Sequence, residues 1–187
     1  MAGADPSFSE AHMWRTLFIL DSEVTGRKKL VKHLGVGEGS VRTILKRLTA
    51  EGLLSSSKQG HGLSEAGRLR IESMLSKMSK PARFDSGGLV AGCQSLIIVY
   101  GVGGRVGGAV PLRDVALKAG ADGAVILVYD GGLRFPDSGM DLKDYSQALE
   151  RFAKVALRDG DVAVVGFGKT QETAEDGAVA VALELSK

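Results

Sequence analysis

The chain of 187 residues is poor in the residue types that most often hold metals or carry out catalysis. It contains one cysteine, Cys93, and three histidines, His12, His33 and His61, so the rest of the chain after the first third has no histidine. A single cysteine cannot close an internal disulfide. Histidines this far apart do not match the ligand spacing of zinc sites. We therefore expect no metal, no cofactor and no enzymatic activity.

Long apolar runs are also missing. No stretch approaches the roughly 20 apolar residues that a membrane-spanning helix needs, and the N-terminus lacks the pattern of a secretory signal peptide. With 44% hydrophobic, 25% charged and 5% aromatic residues, the composition is that of an ordinary globular protein. These absences predict a cytoplasmic protein without a membrane partner.

Charge is divided unevenly along the chain. Residues 1–80 hold 13 Lys and Arg against 8 Asp and Glu, a net charge of +5, whereas residues 81–187 hold 11 against 14, a net charge of −3. The sequence also changes character at "SKPARFDSGG", which is typical of a domain boundary. We expect a basic domain over 1–80, a linker over 81–88 and a second domain over 89–187. The basic half favours a polyanionic partner.

Three helices are predicted in the first half. Ser9 is a plausible N-cap for "SEAHMWRTLFILDSE", and Gly35 would end a second helix in "GRKKLVKHLG". A third helix is expected to begin at Ser40, whose hydroxyl would cap it. Its apolar stripe consists of Val41, Ile44, Leu45 and Leu48. Two short helices joined by a tight glycine-containing turn form a helix-turn-helix pattern.

A β-hairpin is predicted directly after the third helix. In "GLLSSSKQGHGLSEAG", an extended run to Ser57 is followed by a polar turn, a return through Leu63, and Ser64 as the cap of another helix. The segments "EGLL" and "LSEAG" resemble those that flank the wing in the winged-helix superfamily. The resemblance spans about residues 8 to 78 and implies a winged helix-turn-helix domain that binds double-stranded DNA.

The positions expected to contact DNA follow from the geometry of a helix in the major groove. Side chains near the helix start can meet base edges, while Lys and Arg neutralise phosphates. The candidates are Ser40, Arg42 and Thr43 for bases, Lys46 and Arg47 for phosphate or groove wall, Lys58, Gln59 and His61 on the wing, and Lys28, Lys29 and Lys32 on the preceding helix. Alternatively, the basic face is merely solvated, or the domain is a protein-interaction module.

A further apolar stripe follows the hairpin in "LSEAGRLRIESMLSKMSK". Ile71, Met74, Leu75 and Met78 recur at helical spacing, which predicts a helix that continues to Met78. The stripe could close a homodimer, dock on the second domain or simply pack in the core.

The second half alternates between strand and helix patterns. Buried strands are predicted in "CQSLIIVYG" and "DVAVVGFG", a hairpin in "AVILVYDGGLRFPD", and helices in "PLRDVALKAG", "MDLKDYSQALERFAKVALRDG" and "TAEDGAVAVALELSK". The second of these helices is expected to be long and to bury Leu142, Tyr145, Leu149, Phe152 and either Val155 or Ala156. The order predicts a small α/β sandwich.

Two glycine-bearing loops are candidate ligand sites. "GVGGRVGG", Gly101 to Gly108, includes Gly103 and Gly104, and "GFGKT" includes Gly168, Lys169 and Thr170 ahead of a helix whose N–H groups could hold an anion. Val106 replaces the third glycine of a dinucleotide-binding turn, and the spacing of a Walker loop is missing. An enzyme that binds a nucleotide at these loops is the alternative, although neither Asp114 nor Asp130 belongs to a visible catalytic constellation.

The segment "GGRVGGAVPLRDVALKAGADGAVILVYDGGLRFPD" resembles a family of archaeal winged-helix proteins whose C-terminal domain has no assigned function. The matching positions are Arg113, Asp114, Gly120, Ala121, Gly123, Tyr129 and Pro136. The resemblance implies an archaeal source and a role like that of a transcription regulator. Arg113 and Asp114, placed at a helix start, could receive a small anionic effector or form a structural pair.

We therefore expect a homodimeric, DNA-binding transcriptional regulator. In this interpretation the second domain serves dimerisation or small-molecule sensing. An enzyme or a protein-interaction module with an accessory winged helix is the alternative.

Overall fold

The computed structural model describes residues 8–187, so residues 1–7 of the predicted first domain lie outside the described part. The chain divides into two compact units, the first ending at Met74 and the second running from Leu75 to Lys187. The first is mainly helical and the second is built on a sheet, which gives a two-domain α+β fold. None of the helices in the described part is long and apolar enough to cross a bilayer.

The first unit consists of helices and one hairpin. Its elements are α1 (Glu10–Ser22), α2 (Arg27–Leu34), α3 (Glu38–Ala50), β1 (Leu54–Ser57), β2 (Gly60–Leu63) and α4 (Glu65–Leu75). Ser9 precedes α1 as predicted, and its backbone N–H donates to His12 Nδ1 at 3.1 Å. Gly35 ends α2 in the left-handed region with a φ of 69°, where a side chain would be strained.

The start of α3 differs from the prediction. Gly37, in extended conformation, is the N-cap, so Ser40 lies inside the first turn and does not cap the helix. Glycine has no side chain, so the N-cap residue itself forms no side-chain capping bond. The predicted apolar stripe is confirmed, because Val41, Ile44, Leu45 and Leu48 are all buried.

The hairpin is held close to its turn by the connection between α1 and α2. Ser57 pairs with Gly60, which leaves Lys58 and Gln59 as a two-residue turn. Thr25 and His61 exchange two backbone hydrogen bonds of 3.0 and 2.9 Å, so Thr25 extends the two-stranded sheet. The hairpin is thereby fixed to the rest of the unit.

The second unit contains a five-stranded sheet with three α-helices around it or at its margins. Its elements are β3 (Ala82–Arg83), β4 (Cys93–Val99), α5 (Val110–Lys118), β5 (Gly123–Tyr129), β6 (Leu133–Arg134), α6 (Ser146–Phe152), β7 (Val162–Gly168) and α7 (Gln171–Leu185), with the end of α4 before them. The strand order is β3-β4-β7-β5-β6, and every neighbouring pair is antiparallel.

Each face of this sheet is covered. Helix α7 packs against β7 and β4, and α5 packs against α7 and β5. On the other face, Leu142, Ala148 and Phe152 pack over strand residues such as Leu96 and Leu127. From β4 onward the predicted order of strand, helix, two strands, helix, strand and helix is confirmed, and the strand β3, which was not predicted, precedes it.

The prediction of one long helix between β6 and β7 is wrong. A 3₁₀ turn at Leu142–Asp144 and the short α6 replace it, and Tyr145 lies between them with non-helical backbone angles. Asp141 starts the turn by accepting a hydrogen bond from Lys143 N at 2.9 Å. Leu142 and Phe152 are buried as expected, but Tyr145 and Leu149 are each 41% exposed.

The boundary between the units also differs from the expected one. Ala82 and Arg83, inside the predicted linker, pair with Leu96 and Ser95 as an edge strand of the sheet. Residues 81–88 therefore belong to the second unit. Helix α4 stops at Leu75, and Met78 leaves the predicted stripe to form a β-bridge with Val99.

Candidate nucleic-acid interface

Helix α3 presents basic and polar residues on the side opposite its buried stripe. Thr43 and Lys46 occupy the middle of this exposed surface, while Arg42 and Arg47 lie on its two flanks, as the 100° rotation per residue requires. Thr43 Oγ1 donates to Gly39 O at 3.0 Å, which leaves its lone pairs to accept a bond. The nominated α3 residues therefore face more than one direction.

A concave surface lies between α3 and the hairpin, and we call it the basic groove. It has a volume of about 440 Å³. Its lining residues are Gly26, Arg27, Arg42, Leu45, Ser57, Lys58, Gln59, Gly60 and His61. Arg42, Lys58, Gln59 and His61, all nominated from the sequence, thus share one site. The His61 ring Nδ1 is 3.0 Å from Ser56 Oγ across the hairpin.

Two residues of this region were missed in the sequence. Arg27, at the start of α2, lines the basic groove, and Glu38, at the start of α3, contacts its cations. Arg27 stands directly before the nominated Lys28 and Lys29 in a basic run that offers no local signal to choose among them. Glu38 is acidic, whereas a DNA-binding surface is predicted from basic residues.

Arg47 is directed away from the basic groove. Its guanidinium carbon lies 5.1 Å from the centre of the Phe8 ring, a cation–π contact on the opposite flank of α3. Ser40 lies on the same flank of the helix as Arg47 by its spacing. These two candidates are therefore separated from Arg42 and the hairpin.

The lysines of α2 are exposed, and α2 itself is held by a buried arginine. Lys29 Nζ lies 2.6 Å from Glu23 Oε1, so its charge is already partnered, while Lys28 and Lys32 are exposed. Arg15 of α1 is only 2% exposed and donates to His33 O at 2.7 Å, at the end of α2. A cation at this end favours the helix dipole and fixes α2 relative to α1.

In the second unit, the first glycine loop is closed by its own contacts. Gly103 starts a 3₁₀ turn and donates its N–H to Gly160 O at 2.7 Å. A Cβ at Gly103 would lie 2.8 Å from Val128 Cγ1, so this glycine is required by packing. The N–H of Gly101 is bound by Asp161 Oδ1 at 3.1 Å. Gly101, Gly104 and Gly107 are exposed, with open space where a Cβ would stand.

The second glycine loop is capped internally. Thr170 is the N-cap of α7, and its Oγ1 accepts a hydrogen bond from Thr173 N at 3.3 Å while Thr173 Oγ1 accepts one from Thr170 N at 3.3 Å. A Cβ on Gly168 would meet Thr173 Oγ1 at 2.4 Å. Lys169 is exposed. Two of the N–H groups that were expected to hold an anion at this helix start, those of Thr170 and Thr173, are therefore bound by the protein itself.

The two glycine loops do not form one site. Val99, before the first loop, pairs with Val162, whereas Gly168, at the second loop, pairs with Cys93 at the far end of the same two strands. Six residue steps along a strand correspond to about 20 Å. The antiparallel sheet also lacks the parallel βαβ unit on which a dinucleotide-binding fold depends.

Arg113 and Asp114 do not stand at a helix start. Helix α5 begins at Val110, and Arg113 N is already bound to Ala109 O at 2.8 Å. Both side chains are exposed on the surface of α5. Within residues 8–187, no three or more His, Cys, Asp or Glu side chains are grouped as a metal site would require.

The chain is similar to two protein families and to a solved structure. Residues 90–185 match the family described as "Domain of unknown function (DUF4443)", and residues 12–69 match "PH0730-like, N-terminal domain". A solved structure, "Hypothetical protein PH0730 from Pyrococcus horikoshii OT3", is 30% identical with a TM-score of 0.78, over 96% of this chain and 93% of that one. None of the curated proteins matches. The chain therefore belongs to the DUF4443 family and carries a PH0730-like N-terminal domain ahead of its DUF4443 domain.

Proposed function

We propose that the first unit is a winged helix that binds double-stranded DNA, and that the protein is a transcriptional regulator. The observation that carries the proposal is the basic groove, where the cations Arg27, Arg42 and Lys58, from three separate segments, surround one concavity together with the His61 ring. Cations from separate elements around a concave surface fit a sugar–phosphate backbone, which carries one negative charge at each phosphate.

The start of α3 supports the same proposal. Gly37 and Gly39 have open space where a Cβ would stand, and Gly37, the N-cap, has no side chain. Open space at the helix start lets a phosphate approach the backbone, while Arg42 and Thr43 in the next turn are in place to reach base edges. Lys46 and the exposed Lys28 and Lys32 would add phosphate contacts.

In this proposal the second unit dimerises the chain or senses a small anionic effector. Val110 and Leu117, on α5, are 56% and 44% exposed and stand two turns apart on the same side of the helix, which supports a contact between copies. A homodimer would bring two first units to a roughly palindromic site. Light scattering during size-exclusion chromatography measures the state of the full chain directly.

The test is a titration of the full-length protein against mixed-sequence duplex DNA from about 50 to about 200 mM salt. Replacing Arg42 and Lys58 by alanine removes two cations of the basic groove. We expect the double variant to lose about tenfold or more in affinity and the salt slope to fall by about 2.

The matched control replaces Lys118 and Lys154, two exposed lysines of the second unit, by alanine. This variant loses the same net charge but should keep the affinity and salt slope of the wild type. Absence of salt-dependent binding by the wild type at low ionic strength would refute the proposed function. An equal loss in both double variants would place the interface elsewhere.

A further inference from the structure

An acidic side chain lies among the cations of the basic groove. Glu38 Oε1 is 3.4 Å from Arg27 Nε and 3.8 Å from Arg42 Nη2, so one carboxylate oxygen contacts arginines of two helices. All three side chains are open to solvent, with 60% of Glu38 and 69% of Arg42 exposed. The carboxylate therefore contacts two guanidinium groups that would otherwise be available to an anionic or hydrogen-bond-accepting ligand.

Fold stability alone does not account well for this arrangement. Exposed ion pairs contribute little to folding because water and salt screen them, and the two side chains lose rotamer freedom. An acid in the first turn does favour the helix dipole. However, this same acid repels a polyanion at the surface proposed to meet DNA, which makes it costly for the proposed function.

We propose that Glu38 lowers the affinity of the basic groove for DNA of arbitrary sequence, and so raises the selectivity of the protein. The inference rests on the proposed function. In the free protein the single negative charge of Glu38 offsets part of the positive charge of Arg27 and Arg42, so any duplex gains less from these two cations than it would without the carboxylate. A sequence that offers Arg42 two acceptors, as guanine does, offsets this penalty, whereas phosphate contacts common to all sequences do not.

The experiment compares Glu38→Gln with Glu51→Gln in the full chain, titrated with a mixed-sequence duplex of roughly two helical turns over a range of salt concentrations. Glu51 is exposed at the other end of α3, so its replacement removes the same charge from the same helix. We expect E38Q to bind about three- to tenfold more tightly than the wild type, as release of two exposed ion pairs implies. The salt slope should steepen by about 1, because loss of one negative charge leaves one more unit of positive charge to neutralise phosphates. E51Q should change both quantities much less.

Thermal unfolding separates this role from a purely structural one, because loss of a helix-stabilising charge lowers the melting temperature without tightening DNA binding. Glu38→Ala, which also removes the carboxylate, should reproduce the gain in affinity. If the wild type binds DNA but E38Q matches E51Q or binds more weakly, the inference about Glu38 is overturned and the proposed function stands. If the wild type shows no salt-dependent binding, both fail.

Discussion

The candidate binding groups of the two units differ in whether the fold itself uses them. In the first unit, the cations of the basic groove and the start of α3 face open space. In the second unit, Gly103 and Thr170, which stood out in the sequence as ligand positions, use their hydrogen-bonding groups within the fold. A glycine-rich loop is therefore not by itself a sign of binding, because close packing of strands and helices also requires glycine. In this chain, exposed cations around a concave surface indicate a binding site better than glycine-rich loops do.

The packing of α7 on the sheet gives the largest expected effect. A Cβ on Gly166 would lie 2.3 Å from Ala174 O and 2.5 Å from Ala178 N. Gly166→Ala should lower the free energy of unfolding of the second unit by about 3 kcal/mol, because overpacking must separate backbone from backbone. Denaturant unfolding followed by far-UV circular dichroism measures the loss.

The fluorescence of Trp14, the single tryptophan, reports separately on the first unit, where its side chain is buried. We expect its unfolding midpoint to stay unchanged in Gly166→Ala. Gly107→Ala, at a position with open space, serves as the control. A midpoint that moves together with the circular dichroism would mean that the units unfold as one and that the contrast between them is not energetic.

The cap of α7 gives a smaller effect. Thr170→Ala removes the hydroxyl that accepts from Thr173 N and should destabilise the second unit by about 1 kcal/mol. The wild type should show no rise in melting temperature with inorganic phosphate beyond that of a matched chloride control, since the helix start is already capped. A clear phosphate-dependent rise that Thr170→Ala alters would break the contrast, because it would reveal an anion site in the second unit.

The smallest expected change in stability comes from a substitution at the start of α3 in the first unit. Gly39 lies within α3 with open space around it, so Gly39→Ala should stabilise the fold by about 0.5 kcal/mol. The same methyl group would stand where DNA is proposed to approach the helix, and we expect weaker duplex binding. Unfolding and DNA titration of one preparation measure both effects. Tighter or unchanged binding would show that the start of α3 does not contact the duplex.

Much of the fold is predictable because it depends on local patterns. Apolar patterns predict which faces are buried, as in the stripe of Val41, Ile44, Leu45 and Leu48 and in the apolar runs of β4 and β7. The strand order is not local, because β7 pairs between β4 and β5 although it follows both in sequence. The break at Tyr145 also escapes helical periodicity, since its ring packs against Phe135 at 5.8 Å.

The candidate site was predictable in part for the same reason. Basic residues on the exposed side of a helix and on a hairpin are visible in the sequence, and the structure brings Arg42, Lys58 and His61 together. The contact of Arg47 with Phe8 depends on how the chain enters α1, and the contact of Arg27 with Glu38 joins two helices. Neither follows from spacing along one element.

The backbone hydrogen bonds between Thr25 and His61 fix the hairpin close to its turn, and thereby preset the distance between α3 and the turn at Lys58. On duplex DNA, a preset distance would favour a particular groove width. A duplex with a different groove width must bend or twist to fit, and the energy of that deformation depends on its sequence even at base pairs that no side chain touches. Selection by the stiffness of DNA would then accompany selection by hydrogen bonds to its bases.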